Sequence, residues 1–329
     1  MNREAQQIAR AQRGFTLVEL MVSLVIFSFA IAGVLSVAVA MTRAHREQRR
    51  VVQTENAVRA PLDFIVDAIR QASPGVTTGT IKDAHDCTFS SGAISFVDSE
   101  IGPDELTVVY ASGGIVSTTH SAFTSTSTSI TIPAAHLSQF AIGDYVLVTD
   151  TTQGTLARVS GVTSTALSID TITCTTAFPA GGYPQGSILL RAQRARFTVG
   201  AVDGIPTLLM YPNGSSSYEP LAEGIEDMQI AVGVDSNSDG ALTPASPFLT
   251  GGTTSDEWAG NVATDTLPAG TIRAVTVVLV SRDTAPLTGT ASFYQPGDAL
   301  NHPGSTTADR YRRRMLSTTV EIRNLAGSP

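Results

Sequence analysis

The sequence predicts an α+β fold in which one long N-terminal helix packs on an antiparallel β-sheet. Three observations predict it. Residues 15–41 form an apolar run that is interrupted by a single charge, Glu19. Residues 42–73 continue with apolar side chains at helical spacing. Residues 74–329 are rich in Ser, Thr, Gly and Val, which is the composition of short strands joined by turns.

The first helical segment is preceded by a polar leader at residues 1–14, which carries three arginines against one glutamate. An apolar helix needs about 20 residues to cross a bilayer, so residues 15–41 are long enough to span one. The basic leader predicts that the N-terminal side lies in the cytoplasm. Arginines also follow the apolar run, so charge alone leaves the orientation open.

Neither a secretory signal nor a plain signal anchor explains this N-terminus. A secretory signal has a short apolar core followed by a small-residue cleavage site, whereas here the small residue, Gly14, precedes the run. A signal anchor leaves Glu19 unexplained, because a carboxylate inside a membrane helix costs about 2.5–3.5 kcal/mol on insertion scales. Glu19 is therefore a candidate functional residue. The alternative is that a local hydrogen bond satisfies it.

The second helical segment, residues 42–73, is predicted to be amphipathic, with its apolar stripe against the sheet. Pro61 is expected to kink this helix, and residues 73–75 (Ser-Pro-Gly) to end it. The apolar stripe consists of Val51, Val58, Leu62, Ile65 and Ile69. The strands predicted beyond it are residues 106–110, 145–149, 166–169, 188–199, 207–211, 228–234, 272–281 and 315–323.

A small β-module is predicted as an insertion in the β-rich domain at about residues 118–186. It begins in a Ser/Thr tract and contains a strand start at Gly143-Asp144-Tyr145. One of the chain's two cysteines, Cys174, lies inside it and the other, Cys87, lies before it. An oxidising compartment would let this pair form a disulfide. The alternative is two unrelated buried thiols.

The composition excludes several function classes. The formal net charge of −8 argues against nucleic-acid binding, which needs clustered positive charge. No phosphate-binding glycine loop, HExxH motif or G-x-S-x-G elbow occurs, and the histidines lack metal-ligand spacing. The sequence therefore predicts a protein that is not an enzyme. The basic cluster at residues 310–314 is interpreted as a strand edge that contacts an acidic surface of a neighbouring molecule or only discourages edge pairing. The alternative is contact with DNA, which the acidic net charge disfavours.

One segment suggests a metal site, although no cofactor is required. Residues 235–240 have the D-x-N-x-D-G form of a calcium-binding loop, with candidate ligands Asp235, Asn237 and Asp239. The twelfth position is serine rather than the bidentate glutamate of an EF-hand, so a further ligand would come from residues 256–257. The alternative is a turn that such residues form without metal.

The segment GFTLVELMV at residues 14–22 resembles the processing site of type IV pilins and type II secretion pseudopilins. The resemblance implies that a prepilin peptidase cleaves between Gly14 and Phe15 on the cytoplasmic side and methylates the new amino group of Phe15. It also implies a role for Glu19. Its carboxylate would pair with the Phe15 amine of a neighbouring subunit and set the register of helices in a filament.

Residues 221–235, 272–282 and 313–324 resemble PilW-type minor pilins. That resemblance implies a minor pilin that primes or caps type IV pilus assembly, for motility, adhesion or DNA uptake. The implied partners are other minor and major pilins, the prepilin peptidase, the inner-membrane assembly platform and, before assembly, membrane lipid. The implied location is the bacterial inner membrane as a precursor with a periplasmic C-terminal domain, then the pilus at the cell surface.

Two alternative functions stay open at this point. A pseudopilin at the filament tip of a type II secretion system would have the same N-terminus, so only the C-terminal segments separate it from a minor pilin. A pilus-tip adhesive module would use the inserted β-region at residues 118–186 to contact a surface.

Overall fold

The computed structural model describes residues 15–72, 75–76, 80–237, 239–248, 257–261, 271–287, 292–293, 297–304 and 307–322. Gly14 therefore lies outside the described residues. The chain divides into two compact units, with the division between Gln53 and Thr54. Each unit is described by itself.

The first unit contains the start of helix α1 (Leu17–Arg70). Thr16 caps this helix, because its hydroxyl oxygen accepts the Glu19 amide at 3.2 Å and its carbonyl oxygen accepts the Leu20 amide at 3.1 Å. The segment Leu17–Thr42 has a mean hydropathy of 2.6 and none of it is buried. By length and composition it could cross a membrane.

Serine hydroxyl groups within this segment donate hydrogen bonds to backbone carbonyls of the same helix. Ser23 donates to the carbonyl of Leu20, and Ser28 to that of Leu24. Such bonds satisfy a hydroxyl group without a solvent partner, which a helix in lipid requires.

The second unit begins with the last part of α1 and continues as a β domain. Val58, Leu62, Ile65 and Ile69 are buried, as the predicted stripe requires. The helix continues through Pro61 to Arg70. There the Ala72 amide donates to the carbonyl of Ile69 at 3.0 Å, which tightens the last turn.

The β domain holds two sheets among the described residues. The strands are β1 (Ile81–Asp83), β2 (Ser90–Ser91), β3 (Ile94–Val97), β4 (Glu105–Thr118), β5 (Ser129–Thr131), β6 (Tyr145–Thr149), β7 (Gly154–Val162), β8 (Ala166–Ile169), β9 (Ile188–Val202), β10 (Ile205–Pro212), β11 (Glu219–Glu223), β12 (Ile225–Asp235), β13 (Trp258–Ala259), β14 (Thr271–Arg282) and β15 (Arg313–Glu321). A short helix α2 (Ala134–Leu137) follows β5.

The larger sheet has the order β11-β10-β9-β6-β7-β1-β2, with β4 pairing β9 and β3, and β8 pairing β7 and β5. The smaller sheet has the order β13-β12-β14-β15. The α+β class with a helix packed on β-sheet is therefore confirmed. The detail differs from the prediction in two ways: the strands form two sheets, and β1 pairs with β7 in parallel.

The main core lies between the helix stripe and both sheets. One face of β4, β9 and β10 and one face of β12 and β14 contribute to it. The contributing residues include Leu106, Val108, Phe197, Leu208, Met228, Ile230, Val232, Val277 and Leu279. Strand β14 is apolar on both faces, since Val278 and Val280 pack against Ala299 on its other side.

A single glycine lets one stretch of chain belong to both sheets. Gly224 separates β11 in the larger sheet from β12 in the smaller one, with φ of +79°. Its amide donates to the carbonyl of Pro206, and its carbonyl accepts the amide of Arg282, both at 2.7 Å. A Cβ atom here would lie 2.8 Å from the carbonyl oxygen of Arg282. Only glycine fits this bend without strain.

Residues in the region of the proposed insertion, 118–186, share a separate core. Its largest members are Phe123, Phe140 and Tyr183. The Tyr183 hydroxyl lies 2.9 Å from the Thr155 hydroxyl, and both are buried. Strands β6 and β7 of this region pair with β9 and β1, so the region is hydrogen-bonded into the larger sheet.

Candidate functional site

The N-terminal candidate site lies at the start of α1. Phe15 is 78% exposed and Glu19 is exposed. The local hydrogen bond at this position goes from the Glu19 amide to Thr16, as in the first half of a capping box. The Glu19 carboxylate accepts no hydrogen bond and makes no ion pair with the described residues. Its charge is therefore available to a group outside the described part of the chain.

The two cysteines lie beside each other. Cys87 is exposed, Cys174 is buried, and both are free thiols in the structure. The hydrogen bond from Cys87 to Cys174 is the main cause that raises the pKa of Cys87. Burial acts to raise the pKa of Cys174, but the hydrogen bonds from Cys87 and Thr176 outweigh it and lower that pKa. The disulfide between Cys87 and Cys174 stays a prediction. The contact between the two thiols is consistent with it.

The predicted calcium loop is anchored by two charged side chains outside it. Glu257 is buried and accepts the amide and hydroxyl of Ser236 at 2.9 and 2.8 Å and the amide of Thr243 at 3.0 Å. Arg273 donates to one carboxylate oxygen of Asp235 through Nε at 3.0 Å and Nη2 at 2.8 Å. The same oxygen accepts the Gly240 amide at 3.1 Å.

The other two candidate ligands bind the loop backbone. Asn237 Oδ1 accepts the Asp239 amide and Asp239 Oδ1 accepts the Ala241 amide, each at 2.8 Å. These are the bonds of Asx turns. In the described part of the chain, no group of three or more His, Cys, Asp or Glu side chains could hold a metal ion. Asp256, one of the further ligands considered, lies outside the described residues.

A polar junction between the sheets was missed in the sequence. Asp104 is fully buried, and its carboxylate accepts the amides of Ser99 at 2.8 Å and Ile230 at 2.7 Å. Its own amide donates to the carbonyl of Met228 at 2.8 Å. Asp104 thus joins the segment between β3 and β4 to β12. Burial raises the pKa of Asp104 to about 7.

More buried polar side chains continue this junction. His302 Nδ1 lies 2.6 Å from Asp227 Oδ2, and Gln229 Nε2 donates to Asp227 Oδ1 at 3.0 Å and to the carbonyl of Gly102 at 2.9 Å. The signal in the sequence was the pair Asp227 and Gln229, which alternate with the core residues Met228 and Ile230 along β12. Polar groups buried at such positions are hydrogen-bonded.

Replacing Asp104 with asparagine should remove a pH dependence of stability. The folded pKa of about 7 lies above the ordinary value of 3.8. Between pH 3.8 and about pH 7, the folded state therefore holds one more proton than the unfolded state. The stability that Asp104 contributes falls as the pH rises through this range. The stability advantage of the parent over Asp104→Asn should be on the order of 2 kcal/mol smaller at pH 7.5 than at pH 5.

Urea unfolding of both proteins at the two pH values measures this difference. Asp203→Asn is the matched control, because Asp203 is exposed in a turn with positive φ that asparagine also tolerates. An advantage that is equal at both pH values would contradict the assignment of a raised pKa to Asp104.

Comparison with known proteins adds to this geometry. Residues 196–324 match the family model described as "Type IV Pilus-assembly protein W". Residues 9–35 match the prokaryotic N-terminal methylation motif. Among solved structures, a type IV-like pilin from Thermus thermophilus (TTHA1219) is similar over 85% of this chain and 97% of its own, with 11% identity and a TM-score of 0.37. No curated protein sequence matches the chain.

Proposed function

We propose that this type IV minor pilin-like protein is cleaved between Gly14 and Phe15, is N-methylated at Phe15, and then primes or caps type IV pilus assembly. The observation that carries the proposal is the position of the methylation motif, at residues 9–35. It coincides with the start of an exposed apolar helix that could span a membrane and carries one acidic residue, Glu19. The protein's role is structural and not catalytic.

The chemistry of Glu19 supports a part in assembly. Processing would place a positive amine on Phe15, and each of these two charges is costly in lipid when it is alone. When the amine of one subunit pairs with the carboxylate of its neighbour, the two charges neutralise each other. The pair can form only at one axial displacement of the two helices. The precursor would therefore lie in the inner membrane with its β domain in the periplasm, and its partners would be other minor and major pilins.

The prepilin peptidase and the inner-membrane assembly platform are the further partners of this proposal. The C-terminal match to the pilus-assembly W family favours a pilus over a secretion filament. A type II secretion pseudopilin and a tip adhesive module remain as alternative outcomes of the test. For the adhesive module, the observation in favour is the separate core of the region at residues 118–186.

A clean deletion of the gene is the direct test of the proposal. Surface pili would be counted by electron microscopy, and secretion of an exported enzyme would be assayed in the same strains. Lost pili with normal secretion, restored by the full chain, is the expected result. Lost secretion with normal pili would assign the protein to the pseudopilin class. Normal pili with lost attachment, reproduced by removing residues 118–186, would favour the adhesive module.

Calcium should leave the stability of the protein unchanged. Arg273 donates two hydrogen bonds to one carboxylate oxygen of Asp235, while Asn237 and Asp239 accept loop amides, so calcium would have to compete with this guanidinium for Asp235. Titration of the purified protein with CaCl₂, followed by its melting temperature, measures this. A calcium-dependent rise that Asp235→Ala and Asp239→Ala each abolish would instead establish a calcium site.

The Cys87–Cys174 pair is expected to be oxidised in the exported protein. Protein purified from the periplasm without reductant should incorporate no maleimide after unfolding, and should incorporate it at both thiols after reduction. The Cys87→Ser variant supplies the control, because its remaining thiol, Cys174, has no partner in the chain and should label without reduction. Full labelling of the unreduced parent protein would contradict the disulfide.

A further inference from the structure

Strand β15 forms one edge of the smaller sheet, and β14 is its only strand partner among the described residues. The strand has nine residues and pairs with β14 without a register shift. In an antiparallel ladder the backbone N–H and C=O groups of successive residues point alternately toward the partner strand and away from it. One set of backbone groups in β15 is therefore available to a further strand.

Two hydrogen bonds at the ends of the ladder show which residues of β15 bond to β14. The Ile322 amide donates to the carbonyl of Arg273 at 2.9 Å, just beyond the C-terminal end of β15. The Arg312 carbonyl accepts the Asp283 amide at 3.0 Å, just before the strand begins. Because the register between these two bonds is unbroken, the even-numbered residues bond to β14 and the odd-numbered residues face the open edge. From residue 315 onward, the residues that face the open edge are Met315, Ser317, Thr319 and Glu321.

Other edge strands have features that prevent pairing with a further strand, and β15 lacks them. Strand β11 contains Pro220 and has a register shift against β10, and β2, β5 and β13 have only two or three residues. Short strands, prolines and bulges protect the edge of a sheet. In β15, residues 315–320 are uncharged and include no proline. Arg313, which could protect the start of the strand, is turned to Glu226 and Asp309 instead.

The side chains of β15 leave apolar surface at this edge. Leu316 and Val320 pack against the main core on one face of the strand, and Leu316 is only partly buried. Met315, on the other face, is 40% exposed. A further strand would cover these side chains, and apolar residues on its core-side face would continue the main core.

The sequence of β15 is complementary to itself in one antiparallel register. Backbone groups at the open edge must meet each other, so odd-numbered residues of one copy lie opposite odd-numbered residues of a second copy. With Thr318 of the two copies opposite each other, Leu316 lies opposite Val320 on the core side. On the other side, Ser317 lies opposite Thr319. Apolar side chains then meet apolar ones and hydroxyl groups meet hydroxyl groups, which are favourable cross-strand pairs.

The neighbouring registers fit less well. A shift that places Ser317 opposite itself brings the charged Arg314 opposite Val320 of the core face. A shift in the other direction, with Thr319 opposite itself, leaves Met315 without a partner in β15. The pattern of side chains therefore selects one register, as it does wherever one face of a strand is buried.

We propose that β15 pairs with β15 of a second copy of this chain, in antiparallel orientation and with Thr318 at the twofold axis. The two smaller sheets then form one continuous sheet, and Leu316 and Val320 of both copies join the two main cores across it. The interface is isologous, because each copy contributes the same residues. The proposal does not depend on the role in pilus assembly, because it concerns only the edge of the β domain.

Disulfide trapping tests the proposal on the full chain in a mild detergent. Thr318→Cys, in a background of Cys87→Ser and Cys174→Ser, places one thiol of each copy at the axis. Opposite Cα atoms of a non-hydrogen-bonded pair are about 4.5 Å apart, within the range of about 4.4–6.8 Å that a disulfide spans. After mild oxidation, a non-reducing gel should show the cross-linked dimer as the main product.

Thr165→Cys in the same background is the matched control for this cross-link. Thr165 is an exposed threonine in the turn between β7 and β8, whereas Thr318 is partly buried. Random collisions would therefore cross-link the control more readily than Thr318→Cys. A dimer yield from Thr318→Cys that is no higher than that of the control would overturn the proposal.

Sedimentation equilibrium in a density-matched detergent measures the dimer with both native cysteines in place. Thr318→Lys puts two like charges opposite each other and should raise the dissociation constant of the dimer at least about tenfold. Thr165→Lys should leave that constant unchanged. A parent protein that stays monomeric would overturn the proposal. A dimer that Thr318→Lys does not weaken would also overturn it, because the contact would then lie on another surface.

Discussion

The Glu19→Ala variant is expected to be processed normally and to enter pili at least about tenfold less often than the parent protein. The Glu19 carboxylate makes no bond with the described residues, so alanine removes no interaction among them. In the proposed filament, the variant removes the partner of the Phe15 amine of a neighbouring subunit. An unpaired buried charge costs several kcal/mol, and each 1.4 kcal/mol is about a factor of ten in an equilibrium.

Immunogold counts of the subunit on sheared pili measure incorporation, and the mass of the N-terminal peptide reports cleavage and methylation. Ser23→Ala is the matched control, because it removes a polar group from the same helix. Among the described residues, the Ser23 hydroxyl bonds only to the carbonyl of Leu20. Glu19→Asp keeps the charge and should restore part of the incorporation. Pili that contain Glu19→Ala at the parent level would refute the role of the carboxylate in register.

The helix and the central strands could be predicted because their signals are local. Apolar spacing identified the stripe at Val58, Leu62, Ile65 and Ile69, which the structure buries. The predicted strands at residues 145–149 and 166–169 coincide with β6 and β8 at both ends. In each of these segments the residues that decide the pattern are neighbours in the sequence.

Strand β7 was missed because its glycines reflect contacts with distant residues. Gly154 opens this strand, and a Cβ atom there would lie 2.8 Å from a methyl group of Leu147 in β6. In the sequence the same glycine indicates a turn. The second sheet was missed for a related reason. The sequence of β11 and β12 does not show that the chain changes sheets at Gly224, because the two backbone hydrogen bonds at this glycine are made with Pro206 and Arg282, which lie in other strands.

The candidate sites divide in the same way. The processing segment is contiguous, so its motif could be recognised in full. The Asp104 junction is built from segments far apart in the chain, and no spacing in the sequence relates them. The loop at residues 235–240 shows the intermediate case. The motif is local, but Arg273, which donates to its Asp235 oxygen, comes from β14, and Glu257, which accepts its Ser236 amide, directly precedes β13.

Replacing Arg313 with methionine should lower the free energy of unfolding by about 3 kcal/mol. The sequence suggested that this basic cluster contacts a neighbouring molecule, but Arg313 is 7% exposed and bonds within its own chain. It donates to both oxygens of Glu226 and to both oxygens of Asp309, the latter at 2.7 Å each. Methionine keeps the apolar stem and removes the cation that Glu226 and Asp309 share, so that Arg282, 3.4 Å from Glu226, is the cation that remains beside them.

Urea unfolding of the purified protein measures the loss, since urea does not screen charges as guanidinium does. Arg158→Met is the matched control: its pair with Asp170 is exposed and 3.6 Å long, so the change should cost under about 0.5 kcal/mol. A loss in Arg313→Met no larger than that of the control would show that the network adds nothing to stability.

The pH dependence separates the ion pair from simple packing. The hydrogen bonds from Arg313 lower the pKa of Asp309 below its ordinary value of 3.8. A carboxyl with a lowered folded pKa contributes stability above its unfolded pKa and loses it as the pH falls through the folded pKa. The difference in free energy of unfolding between the parent and Arg313→Met should therefore become smaller as the pH falls from 5 to 3. If methionine destabilises only by poorer packing, the gap will be the same at both pH values, and the carboxylates will not be the reason that this arginine is buried.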